Sequence, residues 1–317
     1  MNKSDIKKFE QGDIFVGATL LNNPDDDHAG PGRIIQYDSD LNLKGILWSE
    51  NTTHLVGGLK FDSSKDLWAF DSQNCTSIKI NASGEQVDQI DFGDRSFSNV
   101  NFIDNGEFYL GEHLTGDESN NRALEGPRKL QTVLPFMPGT EKYGDGNIYK
   151  FSKDGELIDT LETETHGGMP GFLGVTSSAI TSDESKIIYI SELGNRIFQY
   201  DVINKKQLDD LITYEPESGD MVIAISFSNT GEFYSIKANF REGFSLCKHD
   251  LETGSILDEK TLPGPGWATL CLCKDGSHAV LGNFFNGQIA KFDLSSGQIV
   301  ASTETDVERS VAGIAEF

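Results

Sequence analysis

One hairpin-like pattern recurs six times along the chain and limits its fold more than any other feature of the sequence. The copies begin at Gly32, Thr76, Gly146, Asn195, Gly243 and Gly287, so successive starts lie 44, 70, 49, 48 and 44 residues apart. Each copy alternates apolar and polar residues around a polar turn, which is typical of two antiparallel strands. A period of about 45 residues, with one longer unit, is typical of propeller blades.

A second pattern lies between the copies and predicts the other half of each blade. It reads LVGGLKFDSSKDLWAF in one unit and VIAISFSNTGEFYSI in another. Small residues recur in it, namely Gly57, Gly58, Ser177, Ser178 and Ala224. Small side chains suit the innermost strand of a blade, because neighbouring blades crowd together at the axis. We therefore predict blades of four strands with this segment innermost.

The two ends of the chain complement each other. The C-terminal VAGIAEF matches an innermost strand with nothing after it, and GDIFVGATL near the N-terminus matches a second strand with nothing before it. One blade built from both ends leaves no open sheet edge. We predict an all-β, six-bladed β-propeller, a single domain over residues 11–317 that follows a short N-terminal tail at residues 1–10.

Residues 114–145 lengthen one unit between its second and third strands. Loops of this length are uncommon inside a domain and are usually either functional or disordered. The stretch LPFMPG within it is apolar and Pro-bounded, so we predict that the insertion caps the mouth of the propeller channel. A disordered excursion is the alternative.

The charge of the chain restricts its partners. Lys and Arg number 26 against 50 Asp and Glu, which gives a formal charge of −24. Such a surface repels nucleic acid and anionic lipid, so we expect neither nucleic acid nor a membrane as a partner. The sequence has no long apolar run and no apolar N-terminal segment, and its four cysteines fit reduced thiols. These features predict a cytoplasmic protein.

Four of the six histidines fall on or beside the connections that we assign to one face of the propeller, the usual ligand face of this fold. They are His28, His54, His113 and His166. Imidazole groups can act there as metal ligands or as acid–base groups. We predict catalytic roles for His54 and His166, which precede inner strands. The alternative is that four of six histidines fall there by chance.

All seven arginines map to the same connections or to the first residues after them. They are Arg33, Arg95, Arg122, Arg128, Arg196, Arg241 and Arg309. Because a guanidinium suits carboxylate and phosphate, we predict a small anionic molecule bound by Arg95, Arg241 and Arg309. The alternative is that these arginines pair with acidic residues of the same face. Trp267 is either a stacking platform for the ligand or a core residue.

The ends of the second strands supply a third group of candidates, because Glu112, Glu192 and Asn283 align in one column of the units. Oxygen ligands converging near the axis suit calcium, and oxygens combined with imidazole suit zinc, iron or manganese. We predict a divalent metal ion with ligands from His54, Glu112, His113, His166, Glu192 and Asn283, and a catalytic role for Glu112. The alternative is that the two glutamates are exposed blade-edge residues.

The runs GNRIFQYD at Gly194 and GQIAKFDLSSG at Gly287 resemble the blades of six-bladed propellers in the NHL-repeat and senescence-marker-protein/gluconolactonase group. The resemblance covers nearly the whole chain and is architectural. It implies one divalent cation on the axis, held by Glu, Asn and Asp, and the opening of lactones or esters. Glu112, Glu192 and Asn283 are of matching type, and the region of His54 replaces the family's entry Glu.

Two functions from different classes follow. The first is a metal-dependent enzyme that acts on a small carboxylate-bearing molecule at the axial channel, by lactone or ester hydrolysis or by a related lyase or isomerase reaction. In it, the metal would polarise a carbonyl and an arginine would hold the substrate carboxylate. The second is a non-catalytic propeller that binds a protein or a peptide on its ligand face.

Overall fold

The computed structural model describes residues 3–114, 146–164 and 174–317. In these ranges, 25 β-strands form antiparallel sheets and the one helical segment is a 3-10 turn at Pro216–Ser218. No helix of the described ranges has the length and apolar character needed to span a membrane. The chain divides into two compact units, residues 1–93 with 264–317 and residues 94–263.

The first unit contains three four-stranded sheets. One is formed by Ile14–Ala18 (β1), Arg33–Tyr37 (β2), Leu43–Trp48 (β3) and Val311–Glu316 (β25), in the order β25-β1-β2-β3. Another is formed in chain order by Val56–Phe61 (β4), Leu67–Asp71 (β5), Thr76–Ile80 (β6) and Gln86–Asp91 (β7). The third is formed in chain order by Trp267–Leu272 (β21), His278–Asn283 (β22), Gln288–Asp293 (β23) and Gln298–Glu304 (β24).

The first of these sheets joins the two ends of the chain. β1 pairs with β25 so that Val16 lies opposite Ile314 and Gly17 opposite Gly313. The prediction of a blade with one C-terminal and three N-terminal strands is confirmed. Pairing with β25 satisfies the backbone groups that β1 would otherwise expose at a sheet edge.

Alternate residues of β1 pack into two different apolar clusters. Phe15 belongs to a cluster with Ile34 and Leu67, whereas its neighbour Val16 packs with Val280. Successive side chains of a strand point to opposite faces, so this sheet is covered on both faces within the first unit. Such double coverage explains why all five residues of β1 are buried.

Close approach between inner strands depends on glycine. A Cβ atom on Gly57 of β4 would lie 2.5 Å from the carbonyl oxygen of Ala312 in β25. No side chain fits at that distance, so the small residues of the inner-strand pattern have a steric cause.

Residues 3–10 form part of the first unit. The Asp5 backbone N donates to the Ile46 carbonyl at 2.9 Å, which attaches the segment to the outer strand β3. Phe9 is 4% exposed, and its ring centroid lies 4.3 Å from that of Phe15. The segment therefore covers an outer sheet edge and adds an aromatic side chain to the core.

The second unit also contains three sheets. One is formed by Phe97–Phe102 (β8), Phe108–Glu112 (β9), Ile148–Phe151 (β10) and Leu157–Leu161 (β11). Another is formed by Ser177–Ile180 (β12), Lys186–Ile190 (β13), Arg196–Asp201 (β14), Lys206–Gln207 (β15) and Ile212–Thr213 (β16), with both short strands paired to β14. The third is formed by Met221–Phe227 (β17), Phe233–Asn239 (β18), Gly243–His249 (β19) and Ile256–Leu262 (β20).

The core of the second unit follows the same two-residue alternation. Ile187 and Tyr189 of β13 pack in one cluster, and Ile188 and Ile190 pack in another. The Tyr189 ring stacks on Phe198 with centroids 4.9 Å apart. As predicted, the long insertion separates the second and third strands of one sheet, β9 and β10. The expected cap itself, apart from Leu114, lies outside the described residues.

The sheets define the class of fold. Six antiparallel sheets, with almost no helix, make this chain an all-β, six-bladed β-propeller. The prediction of fold class is confirmed, including the sheet that both chain ends build.

Candidate functional site

Three connecting loops of the first unit bring their polar side chains together. The loop between β1 and β2 contributes Asp26, Asp27 and His28, the loop between β3 and β4 contributes His54, and the loop between β24 and β25 contributes Arg309. We call these five residues the loop cluster. Loops on a rigid sheet scaffold are where binding groups usually lie.

His54 bonds to Asp26 through a defined ring nitrogen. Its Nε2 lies 3.1 Å from Asp26 Oδ2, and its Nδ1 lies 3.3 Å from the amide nitrogen of Asn74. Because the carboxylate oxygen of Asp26 accepts, the Nε2 atom that faces it carries the hydrogen. Both hydrogens of the Asn74 amide nitrogen point to other oxygens, Asp71 Oδ2 and Thr53 Oγ1, each at 2.6 Å. His54 therefore donates to Asp26 and fixes the orientation of that carboxylate.

A buried carboxylate holds the His54 loop in place. Asp71, at the end of β5, is fully buried and its Oδ2 accepts from the backbone N atoms of Thr53 and His54 at 2.9 and 3.1 Å. Asn74 adds its side-chain nitrogen to Oδ2 at 2.6 Å. Several donors on one buried carboxylate offset the cost of removing its charge from water.

Asp27 joins the other two members of the loop cluster. Its Oδ1 lies 2.6 Å from His28 Nδ1, and its Oδ2 lies 2.6 Å from Arg309 Nη2. The side chains of Asp27 and Arg309 are 36% and 50% exposed, so solvent and small molecules reach both groups.

The backbone around Arg309 positions its side chain. Arg309 has a φ of 58°, and its backbone N donates to the Phe284 carbonyl at 2.6 Å. The Phe284 ring lies 6.2 Å from the His28 ring, and the adjacent Phe285 is 47% exposed. One aromatic ring, that of Phe284, thus lies beside His28 of the loop cluster.

The loop cluster has the donor set of a metal site. Asp26, Asp27 and His28 each offer one ligand atom, and these atoms all lie within 4.8 Å of one another. Among the described residues, this is the one group of three or more His, Cys, Asp or Glu side chains so arranged. Two carboxylates and one imidazole suit manganese, iron or zinc. The bond from His54 to Asp26 is the kind that orients a metal ligand.

Glu112, a predicted metal ligand and catalytic group, is enclosed within the second unit. It is fully buried, and its Oε2 accepts from Gly146 N at 3.0 Å and from the Tyr149 hydroxyl at 3.2 Å. Arg95 Nη1 lies 3.3 Å from its other oxygen, and the guanidinium lies 4.3 Å from the Tyr149 ring. Burial raises the pKa of Glu112, although Gly146 and Arg95 act in the opposite direction. Arg95 is thus engaged with a carboxylate of its own unit.

The polar residues that end second strands share one role in their loops. Asn283 is 2% exposed and its Oδ1 accepts from Phe285 N at 3.0 Å. Asn239 accepts in the same way from Arg241 N at 3.0 Å, and Glu112 and Asp71 also bind backbone donors of neighbouring loops. Such side chains cap turns and satisfy backbone N–H groups. Asn283 and Glu112 therefore use their oxygens locally.

His113 contacts a hydroxyl rather than Glu112. Its Nδ1 lies 2.6 Å from Ser98 Oγ on β8, and its backbone N donates to the Ser96 carbonyl at 2.6 Å. Sequence reasoning missed Ser98, because nothing local distinguishes it from other inner-strand serines.

The remaining predicted residues are not members of the loop cluster. Glu192 makes no hydrogen bond to a described residue, and burial raises its pKa to about 7. Arg241 is exposed, and His166 lies outside the described residues. Trp267 is fully buried, so the prediction of a stacking platform is wrong and the core alternative holds, because a ring without exposed surface cannot receive a ligand.

Asp26, Asp27 and Asp71 are absent from the sequence-based candidates. His28 is named among the histidines of the ligand face but not among the predicted metal ligands. Asp26 and Asp27 lie in the run PDDDHAG, whose spacing does not match a calcium-binding loop. Asp71 ends the second strand of its sheet, as Glu112 and Asn283 end theirs. This shared position is the sequence signal that could have identified it. The alignment of strand ends gives no indication that His54 pairs with Asp26 or that Arg309 pairs with Asp27.

Comparisons with known proteins address the fold alone. The chain matches no protein-family model and no curated protein sequence. It is similar to a solved protein from Lactobacillus plantarum, with a TM-score of 0.57 and 11% identity over 97% of this chain and 100% of that chain. A functionally unknown protein from Desulfotomaculum acetoxidans gives a TM-score of 0.59 and 15% identity over 96% and 98%. A chain of a nidogen/laminin complex gives 0.64 and 11% over 96% and 97%.

These likenesses extend over nearly the full length of each chain. At such low identities they support a six-bladed β-propeller and carry no assignment of a site. The sheets thus define the fold class of this protein, and its own side chains are the indication of its chemistry.

Proposed function

We propose that this protein is a metal-dependent enzyme that acts on a small carboxylate-bearing molecule at the loop cluster. The observation that carries the proposal is the double contact of Asp27, which lies 2.6 Å from both His28 and Arg309. A metal-ligand set and a half-exposed guanidinium thus share one carboxylate. That arrangement suits a ligand whose carboxylate replaces Asp27 on Arg309.

Asp26, Asp27 and His28 would hold the divalent ion, which supplies Lewis acidity toward a substrate carbonyl. Arg309 binds the substrate carboxylate through its planar fork. Phe285 and Phe284 border the apolar part of the molecule. These roles place an anion beside a cation and an apolar segment beside aromatic rings.

His54 is the acid–base group of the proposal. Its side chain is 21% exposed, and the contacts of Nδ1 with Thr53 and Asn74 are 3.2 and 3.3 Å long, so this lone pair is weakly engaged. Nδ1 takes a proton from water while the water oxygen bonds to the carbonyl carbon. The carbon–oxygen bond of the lactone or ester then breaks, and the proton passes to the departing oxygen.

The hydrolysis of a lactone or an ester is the reaction class that we favour. Its support is the resemblance of the repeats to the NHL and gluconolactonase group together with the donor set at the loop cluster. The proposed site lies on the loops of the first unit. We also propose a cytoplasmic location, because all four cysteines are free thiols.

The test combines cation binding with hydrolysis. The full chain is stripped with a chelator and titrated by calorimetry with Mn²⁺, Zn²⁺ and Ca²⁺. The probe substrates are monomethyl succinate, an ester that carries a carboxylate, and glucono-δ-lactone, whose hydrolysis product carries one. We expect one cation per chain and hydrolysis that requires it. Asp26→Asn and Asp27→Asn each weaken cation binding by about tenfold or more.

Asp25→Asn is the matched control, because Asp25 is an exposed neighbour on the same loop. It leaves cation binding and hydrolysis unchanged. Failure to bind any of the three cations, or equal losses in the Asp25 and Asp27 variants, overturns the proposal.

A protein-binding propeller is the second candidate function. Phe285 exposes an aromatic side chain on a connecting loop, and one similar structure is described as a nidogen/laminin complex. This function requires no cation. It is favoured if the chain binds no metal and hydrolyses neither probe, and if Phe285→Ser abolishes capture of a partner by the purified chain.

A further inference from the structure

A cleft of about 540 Å³ is lined by side chains from two sheets of the first unit, and none of the five residues of the loop cluster lines it. One wall comes from β2 and β3, and the other comes from β24 and the residues that follow it. Its volume is in the range of sites that hold small organic molecules. Its walls carry both charged and apolar side chains, and these indicate which chemical groups a ligand would need.

Arg33 forms the cationic part of the cleft. It is 7% exposed, its Nε donates to the Ala18 carbonyl at 2.5 Å, and its Nη2 donates to the Thr305 carbonyl at 2.6 Å. Its third nitrogen, Nη1, makes no hydrogen bond to a described residue, and no carboxylate of the described residues forms an ion pair with it. Burial lowers the pKa of this guanidinium.

Glu304 and Asp306 supply negative charge at the same cleft. Both side chains are exposed and line its wall. Asp306 lies near enough to act electrostatically on Arg33 and on Tyr37. Charge of both signs is thus present around one small volume.

The remaining wall is apolar. Ile35, Leu43 and Ile46 line it, and Leu43 is 62% exposed. An exposed leucine beside a cleft offers surface that an apolar group of a ligand can cover.

We propose that this cleft binds a free α-amino acid with an apolar side chain. Its carboxylate meets Arg33, its ammonium group meets Asp306 and Glu304, and its side chain covers Leu43. A simple carboxylate would face the two acidic residues without compensation, and a simple amine would face the buried guanidinium. Only a zwitterion satisfies both charges at once. The site is independent of the proposed enzyme function.

The test uses L-leucine and two analogues that each lack one charge. Binding of L-leucine, 4-methylpentanoate and 3-methylbutan-1-amine to the full chain is measured by calorimetry and by saturation-transfer NMR. We expect L-leucine to bind at least about tenfold more tightly than either analogue, because each analogue leaves one charged wall unpaired.

Variants then locate the binding. Asp306→Asn combined with Glu304→Gln, and Leu43→Ser alone, each weaken L-leucine binding by about tenfold. Glu308→Gln is the matched control, because Glu308 is exposed on the same connection and does not line the cleft. All of these variants leave Arg33 and its backbone bonds in place, so folding is not at risk.

Three outcomes overturn the proposal. They are no binding of L-leucine to the wild-type chain, equal binding of either analogue, and binding that survives both cleft variants. Selective binding that only the cleft variants weaken supports it. Loss of cation binding at the loop cluster would leave this result unaffected.

Discussion

Arg309 Nη2 lies 2.6 Å from Asp27 Oδ2, which ties the loop before the last strand to the loop after the first strand. The two loops flank the β1–β25 pairing that joins the ends of the chain. Both side chains of this ion pair are partly exposed to solvent. The pair therefore contributes little to stability, and a ligand carboxylate can replace Asp27 on Arg309 at a small cost in free energy. The predictions for the loop cluster start from this pair.

Replacing Arg309 separates ligand binding from cation binding. Arg309→Met removes the guanidinium and weakens binding of gluconate, the product of the probe lactone, by about tenfold. Binding of Mn²⁺ is retained or tightened, because a positive charge next to Asp27 is gone. Calorimetry with each ligand measures both effects. Arg241→Met, an exposed arginine of the second unit, is the control, and an equal loss of gluconate binding there would contradict the assignment.

His54 has a positioning role and an acid–base role that one variant can separate. His54→Gln keeps a side-chain donor toward Asp26 but removes the imidazole, so we expect kcat for the probe lactone to fall by about 100-fold. His54→Ala also loses the bond to Asp26 and lowers Mn²⁺ affinity by about tenfold beyond that of the glutamine variant. Steady-state kinetics and calorimetry distinguish the two. Unchanged kcat in both variants would exclude the acid–base role.

Glu192 predicts a pH dependence of stability. Burial raises its pKa from 4.5 to about 7, so the folded state holds a proton that the unfolded state releases between these pH values. The contribution of Glu192 to stability is therefore fully present below about pH 4.5 and is lost as pH rises through about 7. Glu192→Gln removes this loss and is about 1–3 kcal/mol more stable than the wild type at pH 8, with little difference at pH 4.

Urea denaturation at both pH values measures the Glu192 effect. Glu217→Gln, at an exposed position of the same unit, is the control. The same pH response in the Glu192 and Glu217 variants would rule out burial of Glu192 as the cause.

Glu112 distinguishes a structural carboxylate from a catalytic one. Glu112→Ala leaves Gly146 N, the Tyr149 hydroxyl and Arg95 without their acceptor and lowers the free energy of unfolding by about 3–5 kcal/mol. Arg95→Ala costs about 1 kcal/mol, because its side chain is 44% exposed. Chemical denaturation checks this order. Loss of hydrolysis without loss of stability in Glu112→Gln would instead support the catalytic role predicted from the sequence.

Phe9 tests whether the N-terminal segment contributes to the core. Phe9→Ala removes a ring that contacts Phe15 and Phe317 and lowers the free energy of unfolding by about 3 kcal/mol. Phe285→Ala, at an exposed ring of the same unit, changes it by less than about 0.5 kcal/mol. Thermal and urea unfolding measure the difference. Equal stability of both variants would show that residues 3–10 are a dispensable tail.

Strand patterns were readable in advance because they are local. The alternation that places Phe15 and Val16 on opposite faces is a property of consecutive residues, and it predicted strands at the correct places. The small residues before β5 predicted an inner strand. The structure gives the steric reason, since a Cβ atom on Gly57 would meet the backbone of β25. The site residues could be predicted only in part. His54 and Arg309 lie in the loop cluster, whereas Trp267 lies in the core.

The sequence by itself determined the repeat, the number of blades and the joining of both chain ends in one sheet, because each depends on residue spacing along the chain. Only the tertiary structure decided which polar side chains remain available for a ligand. Asn283 and Glu112 end their strands as predicted, but backbone N–H groups of folded loops occupy their oxygens. Asp27 contacts Arg309 because two loops that are distant in sequence lie close together in the fold. Neither residue's neighbours in the sequence indicate this partner.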